Sequence, residues 1–343
     1  MALGLPLLLV VVVVAASSRA GLADPAPAAV SALPGLPVAG LAVGFYNASC
    51  PEVEDLVLAE MRAIVAKDRT LGPALLRFMF HDCLVRGCDA SIMLESRSKK
   101  GEQDAVPSYG LRGYEEVERI KAKVEEACPL TVSCADIIAL AARDAVYLSN
   151  GPRYAVETGR RDGKVSAKSD ADNDLPPPFS NIVDLKTYFS VKGLGWKDLV
   201  VLSGSHTIGS AQCSSFASDR LYNYSGRGVQ DPSLNKTFAA GLREACEAGR
   251  ENDTTPVYMD STTPYDFDLG YYRDVLSNTS LFLSDKALMD DRWTRTYVER
   301  MAAAASPDEF FDDYAVAMTN MGRLEVLTGD NGEIRKTCTS YVD

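Results

Sequence analysis

Histidine is nearly absent from this sequence, which contains only His81 and His206 among its 343 residues. Any chemistry that requires an imidazole, as a base or as a metal ligand, must therefore use one of these two side chains.

Basic residues are fewer than acidic ones, with 35 Lys and Arg against 47 Asp and Glu, for a net charge of −12. This balance argues against a nucleic-acid partner and against binding to anionic membrane surfaces. With 46% hydrophobic and 24% charged residues, the composition is that of a soluble globular chain with a sizeable core. No internal repeat or linker follows residue 40.

Long apolar runs are missing after the N-terminus. Residues 3–16 form an uncharged apolar run, too short to span a bilayer comfortably, and small residues follow it with possible cleavage after Ala20 or Ala23. No Lys or Arg precedes the run, which departs from the usual signal pattern. We expect a secretory signal peptide at residues 1–23, with an uncleaved anchor as the alternative, a flexible Ala/Pro-rich lead-in at 24–40 and one folded domain at 41–343. No stable membrane insertion is expected.

Export is consistent with the cysteines and with the glycosylation motifs. An even number of cysteines, eight, suggests four disulfides in a secreted chain, although sequence alone leaves their pairing open. Five Asn-X-Ser/Thr motifs, some of which we expect to be glycosylated, fit the same compartment: Asn47, Asn223, Asn235, Asn252 and Asn278.

Strand signals are few, with only weak alternation at residues 154–157, whereas helical periodicity recurs along the chain. Helices are predicted around Val53–Ile64, from Pro73 through His81, and at 114–127, 134–148, 182–191, 196–202, 234–248, 271–276, 293–304 and 306–321. Asp- and Pro-rich loops are predicted at 170–179 and 253–268. The sequence therefore predicts a mostly α protein with a single core, closed by disulfides.

Residues 75–91 contain several side chains suited to catalysis or metal binding. Arg77 and His81 are four residues apart, so on a helix they lie on one face. A haem that cleaves peroxide needs a base and a cation above the ring and one neutral imidazole below it. His81 and Arg77 can provide the first two, beside an apolar Phe80. His206 can provide the third, with Asp285 as a candidate partner for its other ring nitrogen.

Other interpretations of the histidines remain open. A buried structural histidine is the commoner role for an isolated His206, and a pair such as Arg77 and His81 is often only a solvated helix face. A zinc site that uses both histidines and a carboxylate is a further alternative. However, the two histidines lack the short spacing of the usual zinc motifs.

Two oxygen-rich loops suggest calcium, because Ca²⁺ prefers mixed shells of carboxylate, hydroxyl and main-chain oxygens. The first offers Asp82, Asp89 and Ser91 with the main-chain oxygens of Val85 and Gly87. The second offers Asp260, Thr263 and Asp268, joined by Thr207 beside His206. Solvated turns are the alternative, but each loop adjoins one of the two histidines.

At this point the motifs resemble those of the secretory plant peroxidases (class III haem peroxidases). RFMFHDCLVRGCDAS is similar to the distal motif of that family, and DLVVLSGSHTIGSAQC to its proximal motif. Further similar segments, among them CPLTVSCADIIALAARDAV, MDSTTPYDFDLGYY and LSDKAL, follow in family order over about residues 42–343.

The resemblance implies a role for each matching residue. His81 is the distal acid–base, Arg77 stabilises the transition state, His206 is the axial haem ligand and Asp285 is its hydrogen-bond partner. The distal calcium ligands are Asp82, Val85, Gly87, Asp89 and Ser91, with Glu102 linked through water, and the proximal ones are Thr207, Asp260, Thr263 and Asp268. Pro176 contributes its carbonyl to the aromatic-donor site.

The resemblance also implies the fold and the partners. We expect the plant peroxidase-like fold, mostly α with minimal β, in which about ten main helices form two layers around one haem b, with two Ca²⁺ ions. The implied disulfides are Cys50–Cys128, Cys83–Cys88, Cys134–Cys338 and Cys213–Cys246. The implied substrates are hydrogen peroxide and small phenolic donors. We expect a monomer exported to the apoplast or cell wall rather than the vacuole, because only five residues follow Cys338.

Four positions depart from the family pattern. Ser108 stands where an Asn usually accepts a hydrogen bond from the distal histidine, Gln103 replaces a Lys, and one residue is missing before Leu111. Arg86 replaces a common Asn, with its cation expected in water. Leu269 replaces another Asn, which is expected to loosen the proximal calcium. These changes keep open an alternative function, a haem- and calcium-binding extracellular protein with weak turnover.

Overall fold

The computed structural model describes residues 37–250 and 252–342. The predicted signal peptide and most of the predicted lead-in lie outside these residues. The described part contains twelve α-helices: α1 (Val53–Lys67), α2 (Leu71–Leu84), α3 (Tyr114–Ala127), α4 (Cys134–Leu148), α5 (Lys168–Asp174), α6 (Ile182–Val191), α7 (Trp196–Ser203), α8 (Lys236–Ala245), α9 (Gly270–Leu276), α10 (Leu283–Ala287), α11 (Arg292–Ala303) and α12 (Asp308–Met321).

Strands are short and occur as three separate pairs in the described residues. The strands are β1 (Ala42–Val43), β2 (Leu94–Glu95), β3 (Glu157–Thr158), β4 (Ser210–Gln212), β5 (Pro256–Tyr258) and β6 (Ser340–Tyr341). β1 pairs with β3 and β4 with β5, both antiparallel, whereas β2 and β6 run parallel. The predicted mostly α class with minimal β is confirmed.

Helix α4 occupies the centre of the main core. Ser133 caps it, since the Ser133 hydroxyl accepts a hydrogen bond from the Asp136 amide at 3.1 Å. Thirteen of its fifteen residues are buried, so α4 is covered on all sides. Helix α2, which carries Arg77 and His81, packs along it.

Helix α12 contacts both of the helices that position the two histidines. It contacts α2 on one side and α7 on the other, and α7 leads directly into the turn that carries His206. The elements that present the two histidines therefore flank the same helix. A second, smaller apolar cluster surrounds the Cys213–Cys246 disulfide.

Two helices form where none was predicted. α5 occupies the first half of the loop predicted at 170–179, and that part of the prediction is wrong. α10 forms around Asp285, whose carboxylate accepts a hydrogen bond from the Phe282 amide at 3.0 Å and so caps the helix. Both are short and lack an apolar repeat long enough to be recognised.

Four disulfides close the fold, and they are the pairs that the resemblance implies: Cys50–Cys128, Cys83–Cys88, Cys134–Cys338 and Cys213–Cys246. Within residues 37–250 and 252–342, no helix is both long and apolar enough to cross a membrane.

Candidate active site

Arg77 and His81 are in direct contact on α2. Arg77 Nε donates a hydrogen bond to His81 Nε2 at 3.1 Å, and Arg77 Nη2 donates to the carbonyl of Pro107 at 2.9 Å. His81 is 4% exposed. Burial, together with the adjacent Arg77 charge, holds the pKa of His81 well below its ordinary value. His81 is therefore a neutral imidazole with Nε2 as its acceptor, as a base requires.

The other nitrogen of His81 has no partner. In the neutral ring with Nε2 accepting, the proton lies on Nδ1. His81 Nδ1 and the hydroxyl of Ser108 are both buried, and neither makes a hydrogen bond with any residue in the described part of the chain. Ser108 therefore does not form the hydrogen bond that an Asn at this position usually accepts from the distal histidine.

His206 is held by Asp285. The carboxylate can only accept, so His206 Nδ1 donates to Asp285 Oδ1, at 2.8 Å. This tautomer leaves the lone pair of Nε2 free, and the His206 side chain is 38% exposed. The rings of Tyr271 and Phe282 pack edge-on against the imidazole.

Sequence reasoning missed one residue of this group. The Tyr271 hydroxyl donates a hydrogen bond to Asp285 Oδ1 at 3.0 Å, and is thus bonded to the same oxygen as His206. Nothing in the spacing of Tyr271 indicates this contact, which depends on how α9 packs against α10.

These two groups fit haem, the cofactor that the peroxidase pattern implies. Haem iron requires one imidazole with a free nitrogen and a partner for the other nitrogen, and His206 with Asp285 meets both requirements. Arg77 and His81 meet the separate requirement for a base and a cation. The residues present therefore match the donor set of a haem site.

The loop after α2 turns tightly. Arg86, Gly87 and Ala90 all have positive φ, at 62°, 95° and 56°, which is uncommon for residues other than glycine. Asp82 Oδ2 accepts a hydrogen bond from the Ala90 amide at 3.0 Å, and Asp89 Oδ1 from the Ser91 amide at 2.9 Å. The loop thereby gathers its oxygens toward its interior.

Several of these oxygens are buried without a partner in the described residues: Asp82 Oδ1, the Ser91 hydroxyl and both carboxylate oxygens of Glu102. Burial and mutual repulsion raise the pKa of Asp82 and of Glu102 well above their ordinary values, and burial raises that of Asp89 to about 6. Buried, unpaired hard oxygens are the surroundings that suit Ca²⁺. Val85 and Gly87 lie in the same buried turn.

The second loop brings together the four residues predicted for a proximal calcium. The Thr263 hydroxyl contacts Asp260 Oδ2 at 3.1 Å and Asp268 Oδ2 at 3.0 Å, and the Thr207 hydroxyl contacts Asp268 Oδ1 at 3.1 Å. Gly270 lies against them, since a Cβ at this position would come within 1.8 Å of Asp260 Oδ2. This donor set also fits calcium.

The remaining departures from the family pattern have defined surroundings. Arg86 is not simply in water, because it forms an ion pair with Asp170 of α5 at 3.0 Å. Leu269 is 2% exposed and packs in the main core, so apolar packing replaces the polar anchor. Gln103 Nε2 donates to the Leu94 carbonyl at 3.4 Å.

Pro176, which is predicted to contribute to the aromatic-donor site, is half-buried. It lies at the beginning of the segment that leads to Phe179. Phe179 and Val106 are 60% and 63% exposed.

In the part of the chain that the structure describes, no three His, Cys, Asp or Glu side chains group as a metal cluster. The two histidines that the zinc alternative would share lie in separate groups, His81 with Arg77 and His206 with Asp285.

Comparison with known proteins identifies the family of this chain. The family model described as "Peroxidase" matches residues 57–304. The chain is 51% identical to Peroxidase 1 of Oryza sativa subsp. japonica over 299 residues, which cover 86% of this chain and 90% of that protein. It is 46% identical to Peroxidase 56 and 47% identical to Peroxidase 27 of Arabidopsis thaliana, in each case over 301 residues and 88% of this chain, which cover 90% and 92% of those proteins. The chain therefore belongs to the peroxidase family, as a plant class III peroxidase.

Proposed function

We propose that this peroxidase uses His81 and Arg77 to reduce hydrogen peroxide, and that it oxidises small phenolic donors in one-electron steps. The observation that carries the proposal is the contact between Arg77 and a buried, neutral His81 on one face of α2. A neutral base beside a fixed cation is the pairing that heterolytic cleavage of an O–O bond requires.

His81 Nε2 would take the proton from one peroxide oxygen and deliver it to the other, which leaves as water; the two electrons needed to break the O–O bond would come from the bound haem. The Arg77 guanidinium stabilises the negative charge that develops on the departing oxygen. Its bond to the Pro107 carbonyl holds the guanidinium in place.

When haem is bound, His206 Nε2 would bind its iron. Haem b, when bound, would supply the two electrons that peroxide takes up, and two one-electron transfers from phenolic donors would restore the resting enzyme. Asp285 accepts the His206 Nδ1 proton in a hydrogen bond and makes the imidazole a stronger donor to the metal. Tyr271 donates to the same carboxylate oxygen and moderates that effect.

The two oxygen-rich loops are proposed to bind one Ca²⁺ each. The distal ion would take Asp82, Val85, Gly87, Asp89 and Ser91, with Glu102 behind them, and the proximal ion Thr207, Asp260, Thr263 and Asp268. The distal loop begins at Asp82, directly after His81, so calcium there would fix the end of the helix that carries the base. The Cys83–Cys88 disulfide ties the same turn.

Two variants test the proposal. With His81→Gln, the haem-loaded protein should keep its Soret band, while peroxide-dependent oxidation of a small phenol falls by about 10²-fold or more, because the general base is lost. With His206→Ala, haem should be retained poorly, which the ratio of Soret to protein absorbance measures. Unchanged phenol oxidation by His81→Gln would contradict the role of His81, and full haem retention by His206→Ala would contradict that of His206.

One observation favours a second candidate, a haem- and calcium-binding protein with weak turnover. The unpartnered Nδ1 of His81 leaves the ring less firmly oriented. A Soret band that does not change when peroxide is added would support this candidate, and a rapid change would exclude it.

The setting of the reaction is also a proposal. An exported enzyme with four disulfides would work in the apoplast or cell wall. There, phenoxyl radicals released near Pro176 would couple, as in wall polymer formation. A monomer is proposed, and size-exclusion chromatography with light scattering tests it.

A further inference from the structure

Both tryptophans of this chain lie on its surface and stack on each other. Trp196 begins α7 and Trp293 lies in the first turn of α11, with ring centroids 6.0 Å apart and planes inclined by 27°. They are 37% and 53% exposed. The guanidinium of Arg292 lies 5.1 Å from the Trp293 ring centroid. An exposed pair of large indoles offers a flat aromatic face to solvent.

A line of buried tyrosines runs inward from this pair. Trp293 and Tyr297 are four residues apart on α11, so their side chains are neighbours on one helix face. Tyr297 is followed by Tyr272 at 5.8 Å between ring centroids, and Tyr272 by Tyr271 at 5.2 Å. Tyr271 lies 5.8 Å from the ring of His206. All three tyrosines are at most 2% exposed.

The proton partners of these phenols suit reversible oxidation. Phenol and indole are among the side chains that lose one electron most easily, and a phenol must also give up its proton when it does so. Tyr271 and Tyr297 each donate a hydrogen bond to a carboxylate, Asp285 and Asp313, both at 3.0 Å. The Asp313 carboxylate can hold the proton of Tyr297 and return it when the phenol is reduced again. Tyr272, which donates to the Val200 carbonyl, is flanked by Tyr271 and Tyr297.

We propose that this aromatic line, Trp196–Trp293–Tyr297–Tyr272–Tyr271, conducts single electrons from the surface to the proximal side of the haem site, so that the tryptophan pair is a second oxidation site. Its donors are phenols attached to polymers too large to reach the haem edge. The inference rests on the proposed function, since peroxide supplies the two oxidising equivalents. For each oxidising equivalent, one electron leaves an indole and travels inward. The resulting indole radical is then reduced by one electron from a phenol, whose proton goes to water.

The alternative is that these rings only fill the space between α7, α9 and α11. Packing of this kind would make the variants less stable but would not distinguish large donors from small ones. The comparison of two donors on the same folded enzyme therefore separates the two explanations.

The first measurement compares a small free phenol with the same phenol coupled to a large soluble polymer, using haem-loaded enzyme and peroxide. The double variant Trp196→Phe/Trp293→Phe should oxidise the small phenol within about twofold of the parent, while the rate with the polymer-bound phenol falls about tenfold. Tyr341→Phe is the matched control, an exposed tyrosine under the guanidinium of Arg97 and outside the aromatic line. It should change neither rate.

The second measurement does not depend on turnover of a donor. Peroxide is added with a nitroso spin trap and no phenol, and the trapped residues are mapped by peptide mass spectrometry. Adducts are expected on Trp293 or Trp196 in the parent. Tyr297→Phe, which keeps the ring but removes the phenol, should lower them, whereas Tyr341→Phe should not.

The outcomes are distinct. An unchanged ratio of the two donor rates in the double variant, or no adduct on either tryptophan while the small phenol is oxidised normally, would overturn the second site and leave the proposed function intact. A parent enzyme that fails to oxidise the small phenol would overturn the proposed function and this inference with it.

Discussion

At the scale of single residues, the pair His81 and Ser108 determines how well the base is oriented. His81 Nδ1 carries the ring proton, is buried and has no acceptor, and the Ser108 hydroxyl is buried without a partner as well. A buried N–H without an acceptor is unfavourable and leaves the ring free to adjust. Among the described residues, Arg77 is therefore the hydrogen-bond partner that orients the base.

Ser108→Asn should supply the missing acceptor, because the asparagine side chain is longer and ends in a carbonyl oxygen. The rate of the haem absorbance change on mixing with peroxide in a stopped-flow instrument should rise about tenfold, since a fixed general base is more effective. Ser108→Ala is the matched control and should change the rate little. A large loss of rate in Ser108→Ala would show that the hydroxyl already serves His81, contrary to this structure.

A second residue-scale prediction concerns Asp144, which is fully buried beside Arg143, with Arg143 Nε donating to Asp144 Oδ1 at 2.6 Å. Burial outweighs the attraction of Arg143 and raises the pKa of Asp144 to about 6. The folded state then binds a proton more tightly than the unfolded state. The resulting stabilisation, of at most about 3 kcal/mol, is present below the unfolded pKa near 3.8 and is lost as pH rises to about 6.

Asp144→Asn should remove this contribution, so that between pH 4 and 6 the midpoint of thermal unfolding varies differently with pH from that of the parent. As the pH is lowered through about 6, the unfolding midpoint of the variant should fall relative to that of the parent. Parallel curves for the two proteins over this range, measured by circular dichroism, would contradict the raised pKa.

At the scale of elements, the two calcium loops depend on glycines that allow close approach. A Cβ on Gly163 would lie 2.1 Å from Asp89 Oδ2, and one on Gly270 would lie 1.8 Å from Asp260 Oδ2. In each case the added carbon would displace a carboxylate proposed as a calcium ligand, since the neighbouring backbone cannot move freely.

Gly163→Ala should therefore lose one of two bound Ca²⁺ ions at lower chelator concentration than the parent, and Gly270→Ala should lose the other. Calcium content after stepwise dialysis, measured by atomic emission, distinguishes the sites. Gly195→Ala is the matched control, because its nearest neighbour beyond the adjoining chain would be 3.6 Å away. If all three variants retained as much Ca²⁺ as the parent, the result would contradict calcium binding in these loops.

The elements also show what the sequence could predict. Periodicity predicted α3 and α6 with the observed bounds, and the spacing of Arg77 and His81 predicted their shared helix face, because both are local properties of the chain. The contact of Tyr271 with Asp285 and the ion pair of Arg86 with Asp170 were not predicted. They join residues from different elements, and their formation depends on how short helices such as α5 and α10 pack.

At the scale of the whole molecule, the disulfides tie together distant parts of the chain. Cys134–Cys338 spans 204 residues, holding the C-terminal segment with β6 against the beginning of the central helix α4, whereas Cys213–Cys246 spans 33 residues around the smaller cluster. In the chain-entropy model, the longer loop restricts the unfolded chain more. The C-terminal closure should therefore be the more important one for global stability.

Replacing Cys134 and Cys338 together by serine should lower the free energy of unfolding by about 5 kcal/mol, against about 4 kcal/mol for the Cys213/Cys246 pair. Urea unfolding of the two double variants, at the same calcium concentration, measures the difference. Loss of the Cys134–Cys338 link should also release β6 from β2, which faster hydrogen exchange of the Val342 amide would report, since that amide donates to the Glu95 carbonyl at 3.1 Å. A greater loss of stability in the Cys213/Cys246 variant would mean that packing of the smaller cluster, rather than chain entropy, decides the order.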